Sequence, residues 1–134
     1  SVPVVVNGDI TSLAAAEEAL RLSGARAVMI GRGAQGQPWA VGQVAAGLAG
    51  ASPPEAPNGA DLSAIVVEHY EGILSEYGTH VGVRAARKHI DWYLEAAQLL
   101  VSRATRKLML ESQDPAEVIA LVESVFSGEL QEAA

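Results

Sequence analysis

Two short β-branched runs constrain this chain more than any other feature. Pro3–Val6 and Ala27–Ile30 each read as a short buried strand, and a stretch of helical periodicity lies between them. Strand–helix–strand is the unit of a parallel sheet, because parallel strands need a crossover connection. Thr11 or Ser12 is placed to cap the intervening helix, which runs to about Ser23 with Leu13, Ala16, Ala19 and Leu20 on one face. Gly24 stands where a left-handed helix terminator belongs. Pro38 opens a further helix through Trp39, Val41, Val44 and Leu48.

Residues 50–60 hold three of the six prolines and read as a linker. Beyond it the periodicity is helical throughout. Asp61 is expected to cap a helix with Leu62, Ile65, Val66, His69, Ile73 and Leu74 inward, stopped near Gly78. A second helix is predicted from about Gly82 to Ala97, and a third, less regular, from Leu99 to Leu110. Asp114-Pro115-Ala116-Glu117 opens the last, with an Asp cap, Pro in the first turn and Glu at the third position; Val118, Leu121, Val122, Val125 and Phe126 follow. Four helices make a compact bundle. The expected organisation is therefore an α/β lead over residues 1–49, a linker over 50–60 and an all-α helical domain over 61–134.

Composition excludes several classes. About half of the 134 residues are apolar (49%), enough to bury a core. No window of roughly eighteen residues is apolar and free of charge, so no membrane-spanning helix is predicted. There is no cysteine, which removes disulfides, thiolate zinc and a cysteine nucleophile from this chain. His69, His80 and His89 lack metal-ligand spacing, so no metal site is expected. The chain opens directly into a strand, without Met and without a basic, apolar leader. It is expected to be a piece of a larger protein, and a cytoplasmic one.

The net charge is −7, yet it is unevenly spread. Residues 1–83 carry −5 and residues 108–134 carry −6, whereas residues 84–107 carry +4. That block holds Arg84, Arg87, Lys88, Arg103, Arg106 and Lys107 against Asp91 and Glu95. A basic block in an acidic chain is a candidate polyanion-binding surface. Charge alone leaves a second reading open, in which these are solvated helix faces and Asp91 and Glu95 pair with Arg87 or Lys88. His89, beside Ile90 and Trp92, reads as a packed histidine rather than a catalyst. Tyr77 and Trp39 are expected to pack at the junction between the α/β lead and the helical bundle.

Each strand ends in a glycine followed by a charged residue, Gly8-Asp9 and Gly31-Arg32. In a β/α barrel the C-terminal strand ends face the active site, and the last two loops commonly hold phosphate. Glycine lets a phosphate approach the main chain, and Arg32 offers either a charged fork or its own N–H. On pattern alone, Gly8 and Gly31 could equally do no more than end their strands, with Asn7 and Asp9 as turn-formers.

The residues from Pro3-Val4-Val5-Val6-Asn7-Gly8-Asp9-Ile10 through Gly24-Ala25 to Val28-Met29-Ile30-Gly31-Arg32-Gly33-Ala34-Gln35-Gly36-Gln37-Pro38-Trp39 resemble the end of the barrel in bacterial tRNA-dihydrouridine synthases. Tyr77-Gly78, Gly82-Val83-Arg84, Ala86-Arg87-Lys88-His89-Ile90 and Trp92-Tyr93 are similar to the helical domain of that family, nearest its B-type branch. The resemblance covers nearly the whole chain.

The resemblance implies the last two βα units of a TIM barrel followed by a helical tRNA-binding bundle. It implies FMN, reduced by NADPH, as the agent that reduces the C5–C6 bond of selected uridines in tRNA. Asn7, Gly8, Asp9, Gly31 and Arg32 are then expected to hold the FMN phosphate. Arg84, Arg87 and Lys88 are expected on tRNA phosphates, with Arg103, Arg106 and Lys107 extending the patch. The family protonates uracil with a cysteine from an earlier barrel loop. This sequence has none, so no catalytic residue is assigned and the chain alone is expected to be inactive. Two strands with open edges are expected to self-associate or rearrange. Two other readings stand beside this one: an acidic helical module that binds proteins, and a flavin oxidoreductase acting on a small molecule.

Overall fold

The structure, a computed structural model, describes residues 2–130. It contains two compact units, one reaching to Ala56 and the other starting at Pro57.

In the first unit, β1 (Val5–Asn7) and β2 (Ala27–Met29) pair in parallel, with Val6 beside Val28 and Asn7 beside Met29. Between them runs α1 (Leu13–Ser23). Ser12 caps it by accepting the Ala15 N–H at 3.2 Å. Gly24 ends it at φ 66° and returns its N–H to the Leu20 carbonyl at 2.9 Å. A 3-10 turn at Arg32–Ala34 follows β2 and leads to α2 (Ala40–Leu48). The core is small: Ile10, Ala16 and Val44, with Val28 and Ile30 packed against it. α1 and α2 pack closely, since a side chain on Gly47 would lie only 2.4 Å from Leu13. Val41 and Leu48, by contrast, are exposed.

The strands are not buried as the apolar runs predict. Val6 and Val28 are half-buried, but Val5 and Met29 remain 56% and 49% exposed. Successive strand residues point to opposite faces, and α1 covers only one. Apolar composition marks a strand as suited to double burial; it does not supply the second cover.

In the second unit, α3 (Gly59–Ala96) is broken at Gly78, whose φ of 72° and ψ of 158° lie outside helical space. The chain turns back there. A side chain on Gly82 would lie 2.9 Å from Leu74, and His69 reaches both His89 and Tyr93, so the two segments form an antiparallel hairpin. The helix starts at Gly59, inside the stretch predicted as linker, and Asn58 rather than Asp61 occupies the cap position. Asp61 instead lies in the first turn, where a carboxylate favours the helix dipole.

Two shorter helices pack on the hairpin and on each other: α4 (Arg103–Glu111) and α5 (Pro115–Phe126). Ser102 caps α4 through the Thr105 N–H at 3.0 Å, and Asp114 caps α5 through the Ala116 N–H at 3.0 Å. Glu117 does not close a capping box onto Asp114. It accepts the Ser112 hydroxyl, and Ser112 Oγ in turn accepts the Asp114 N–H at 3.1 Å. The largest fully buried side chains are Leu94, Met109, Val66, Val118, Val122 and Val125. Each such apolar side chain contributes about 1.5–3 kcal/mol by leaving water.

Candidate functional site

The parallel register brings the C-terminal ends of β1 and β2 side by side, and their turns surround one open depression of about 230 Å³. Asn7, Gly8, Asp9, Gly31 and Arg32 all line it, with Ile10, Met29 and Gly33. Gly8 at φ 131° and Asp9 at φ 45° turn the chain sharply after β1. A side chain on Gly8 would meet nothing within 4 Å, and one on Gly31 only the Met29 sulfur at 4.0 Å, so both glycines leave the main chain open to a ligand. Gly33 is different. A side chain there would sit 2.1 Å from the Ile10 carbonyl oxygen, so its bare Cα is what lets the two turns close together.

Arg32 donates to the Asp9 carboxylate at 2.6 Å, and both side chains are more than three-quarters exposed. The pair therefore spans the mouth of the depression while remaining in water, where such a bond is weak and readily exchanged. The main-chain N–H groups of Arg32 and Gly33 donate to no backbone carbonyl among the described residues. A cation, two open glycines and undirected N–H groups form a donor set suited to an anion.

In the second unit, Arg84 and Lys88 are exposed on α3 and make no ion pair among the described residues. Arg87 is half-buried, and its Nε is enclosed without a hydrogen-bond partner there. Lys88 Nζ lies 5.7 Å above the Trp92 ring, a cation–π contact. Arg106 is engaged: it bonds Asp91 at 2.6 Å and Glu95 at 3.5 Å. Those two acids thus pair with α4, not with Arg87 or Lys88. Lys107 lies 3.9 Å from Glu111, and Arg103 is exposed. Arg103, Arg106 and Lys107 share a shallow depression of about 340 Å³.

Behind the basic face lies a ladder of rings. Trp92 meets His89 edge-on at 5.1 Å, His89 meets His69 at 4.9 Å, and His69 meets Tyr93 at 5.8 Å. Burial pushes both imidazoles below the ordinary histidine pKa, and for His89 the nearby His69 and Lys88 act in the same direction. Burial raises the Tyr93 and Tyr70 hydroxyls, with Asp114 adding to the effect on Tyr70. His89 is thus a packed residue, as its neighbours predict. Tyr77 is 59% exposed. Among the described residues no cluster of three or more histidines and carboxylates could hold a metal.

The family model for dihydrouridine synthase (Dus) matches residues 1–131. The chain belongs to the dihydrouridine synthase family. It is 53% identical to a probable tRNA-dihydrouridine synthase of Rhodobacter capsulatus, over 95% of this chain and 38% of that protein. It is 46% identical to a probable tRNA-dihydrouridine synthase of Rhizobium leguminosarum, over 90% of this chain and 36% of that protein. With tRNA-dihydrouridine synthase B of Xanthomonas axonopodis it shares 41% identity, over 93% of this chain and 37% of that protein. The chain spans little more than a third of the length of these curated relatives.

Three features of this chain are not legible in its sequence pattern. The Gly33–Ile10 approach joins two turns distant in sequence, and only the spacing of Gly31 and Gly33 hints at it. The Asp91–Arg106 pair spans 15 residues and depends on where α4 docks. Met109 and Tyr70 are core residues that the aliphatic stripes around them do not single out.

Proposed function

We propose that this chain is the portion of a flavin-dependent tRNA-dihydrouridine synthase that supplies the phosphate end of the FMN site and a helical tRNA-binding unit. The observation that carries this reading is the family match, which runs through both units rather than one. The depression at the ends of β1 and β2 supports the cofactor half. Its donor set fits a phosphate: Gly8 and Gly31 admit it, Arg32 supplies positive charge, and Asn7 and Asp9 shape the turn. Bound FMN would supply hydride chemistry, with NADPH as its reductant, to reduce uridine to 5,6-dihydrouridine. The contribution of these residues is to bind and orient. Arg32 exchanges its exposed bond with Asp9 for the phosphate, so the cation is held near its working position before the ligand arrives.

Arg84 and Lys88 support the tRNA half, because exposed cations that make no ion pair among the described residues remain available to phosphates. In this reading Arg87 adds charge from a half-buried position, and Arg103 and Lys107 extend the surface. The expected domain pattern is a barrel end over 1–49, a linker over 50–60 and a helical tRNA-binding domain over 61–134. The exposed faces of β1 and β2 favour self-association of the chain when nothing else covers them. No described helix is long and apolar enough to cross a membrane. The proposed setting is cytoplasmic, where tRNA is found.

The test is binding of the 134-residue chain to an unmodified tRNA transcript, followed by fluorescence anisotropy at several salt concentrations. Affinity should fall with salt at a log–log slope of roughly 0.7–0.9 per phosphate contact. Changing Arg84, Arg87 and Lys88 together to Ala should remove most of it without loss of helicity. Unchanged binding would favour the protein-interaction reading. With no cysteine, the chain alone should leave uridine unreduced even with FMN and NADPH added.

A further inference from the structure

Arg84, Lys88, Asp91 and Glu95 follow one another at intervals of four, three and four along α3, so they form a single stripe on the helix. Its first half is cationic and its second half anionic. Alone, the stripe would attract a polyanion at one end and repel it at the other. α4 alters the second half. Arg106 Nε donates to Asp91 Oδ1 at 2.9 Å, and its Nη2 lies 2.6 Å from the same oxygen and 3.5 Å from Glu95 Oε1. Asp91 and Arg106 are about two-thirds shielded from solvent, more than any other ion pair among the described residues. Arg103 precedes Arg106 by one turn and Lys107 follows it directly. Both are exposed, and all three border one depression.

We propose that Arg106 is a positioning residue. It clamps α4 onto the acidic half of the α3 stripe, so that Arg103 and Lys107 stand where Asp91 and Glu95 would otherwise repel RNA phosphates. This rests on the tRNA-binding reading above and divides five of its six cations by role, the half-buried Arg87 aside. Arg84, Lys88, Arg103 and Lys107 face the backbone of the RNA. Arg106 spends its guanidinium on Asp91 and Glu95 and does not contact phosphate. A bonded, two-thirds shielded guanidinium has few donors left to offer.

The experiment uses the full chain with an unmodified tRNA transcript and reads both affinity and salt slope. Arg106→Gln leaves Asp91 uncompensated beside the RNA and should weaken binding about tenfold, the scale of one charge-assisted contact. The double change Asp91→Asn with Arg106→Gln removes both charges, keeps the local net charge of the wild-type pair and retains amide hydrogen bonding between the helices. It should restore affinity to within about twofold and leave the salt slope as in the wild type. Hydrogen exchange of residues 103–111 should quicken in Arg106→Gln and return toward wild type in the double variant.

A double variant that stays weak, with the slope lowered by roughly 0.7–0.9, makes Arg106 a phosphate contact and overturns the clamp. Binding indifferent to both Arg106→Gln and the double change overturns it as well. Arg84→Ala with Lys88→Ala separates the two layers of the argument. If that change is without effect, the RNA surface itself fails and the clamp falls with it. If it weakens binding while the Asp91/Arg106 double is not rescued, only the clamp fails.

Discussion

The Nδ1 atom of His69 lies 3.1 Å from the Tyr93 hydroxyl, a bond that ties the two segments of the α3 hairpin across 24 residues. His69 also meets the His89 ring, so two imidazoles share an apolar pocket lined by Val66, Ile73, Ala86 and Ile90 that has no room for water. The pocket favours neutral rings.

That arrangement makes the second unit sensitive to acid. Both histidines have folded pKa values below the ordinary value of about 6.5, so the unfolded chain takes up protons first as pH falls. Stability is fully present above about pH 6.5 and declines as pH drops from there toward the folded values. Urea midpoints measured between pH 8 and pH 5 should show the decline. Replacing both His69 and His89 with Gln should flatten it over the same window.

Gly82 and Gly72 should respond oppositely to alanine. A methyl on Gly82 would lie 2.9 Å from the Leu74 Cα and 3.1 Å from the Ile73 carbonyl oxygen, both main-chain atoms that cannot swing aside. Overpacking of this kind costs about 1–3 kcal/mol, more than the roughly 1 kcal/mol gained in helix propensity. At Gly72 nothing lies within 4 Å, and Gly72→Ala should stabilise by about 0.5–1 kcal/mol. Thermal unfolding followed by helical circular dichroism distinguishes them.

Met109 is the single buried side chain of α4, at 1% exposure. Met109→Ala should cost about 2–5 kcal/mol. Hydrogen exchange should then quicken across residues 103–111 before it does in the α3 hairpin, because α4 loses its one buried apolar side chain and keeps only the Arg106 ion pairs.

Asp9 adopts φ 45°, a conformation that a β-branched residue resists. Asp9→Val should destabilise the first unit by about 1–2 kcal/mol, while Asp9→Gly should be nearly neutral, because the exposed bond to Arg32 is worth under about 1 kcal/mol. Urea denaturation read from Trp39, with Trp92 replaced by Phe, measures this directly.

Local signals are the most legible part of this sequence. Ser12, Gly24 and the Asp114-Pro115 pair mark helix ends because a cap acts on N–H or carbonyl groups within a few residues. Gly78 was legible as a break because the apolar stripe restarts after it. Asn58 takes the cap position in place of Asp61, through its carbonyl, which accepts the Asp61 and Leu62 N–H groups, and without a bond from its side chain. That the Asn7–Asp9 and Gly31–Arg32 turns lie side by side follows from parallel pairing, although their close approach also needs Gly33. The exposure of Val5 and Met29 does not follow, since it depends on what lies over the sheet. Nor does the bond from Arg106 to Asp91, which exists only once α4 has docked.

The reversal at Gly78 bears on how the chain reaches this structure. Residues that meet across the hairpin, such as Leu74 and Gly82, are separated by a single turn of backbone, so little chain entropy is lost in bringing them together. Contacts of that kind belong to fast, helical folding, and α4 and α5 both pack against the hairpin they follow in the chain. β1 and β2 can meet only after α1 has folded back between them. During synthesis the strands emerge first, yet the hairpin is the part of the chain equipped to fold without waiting.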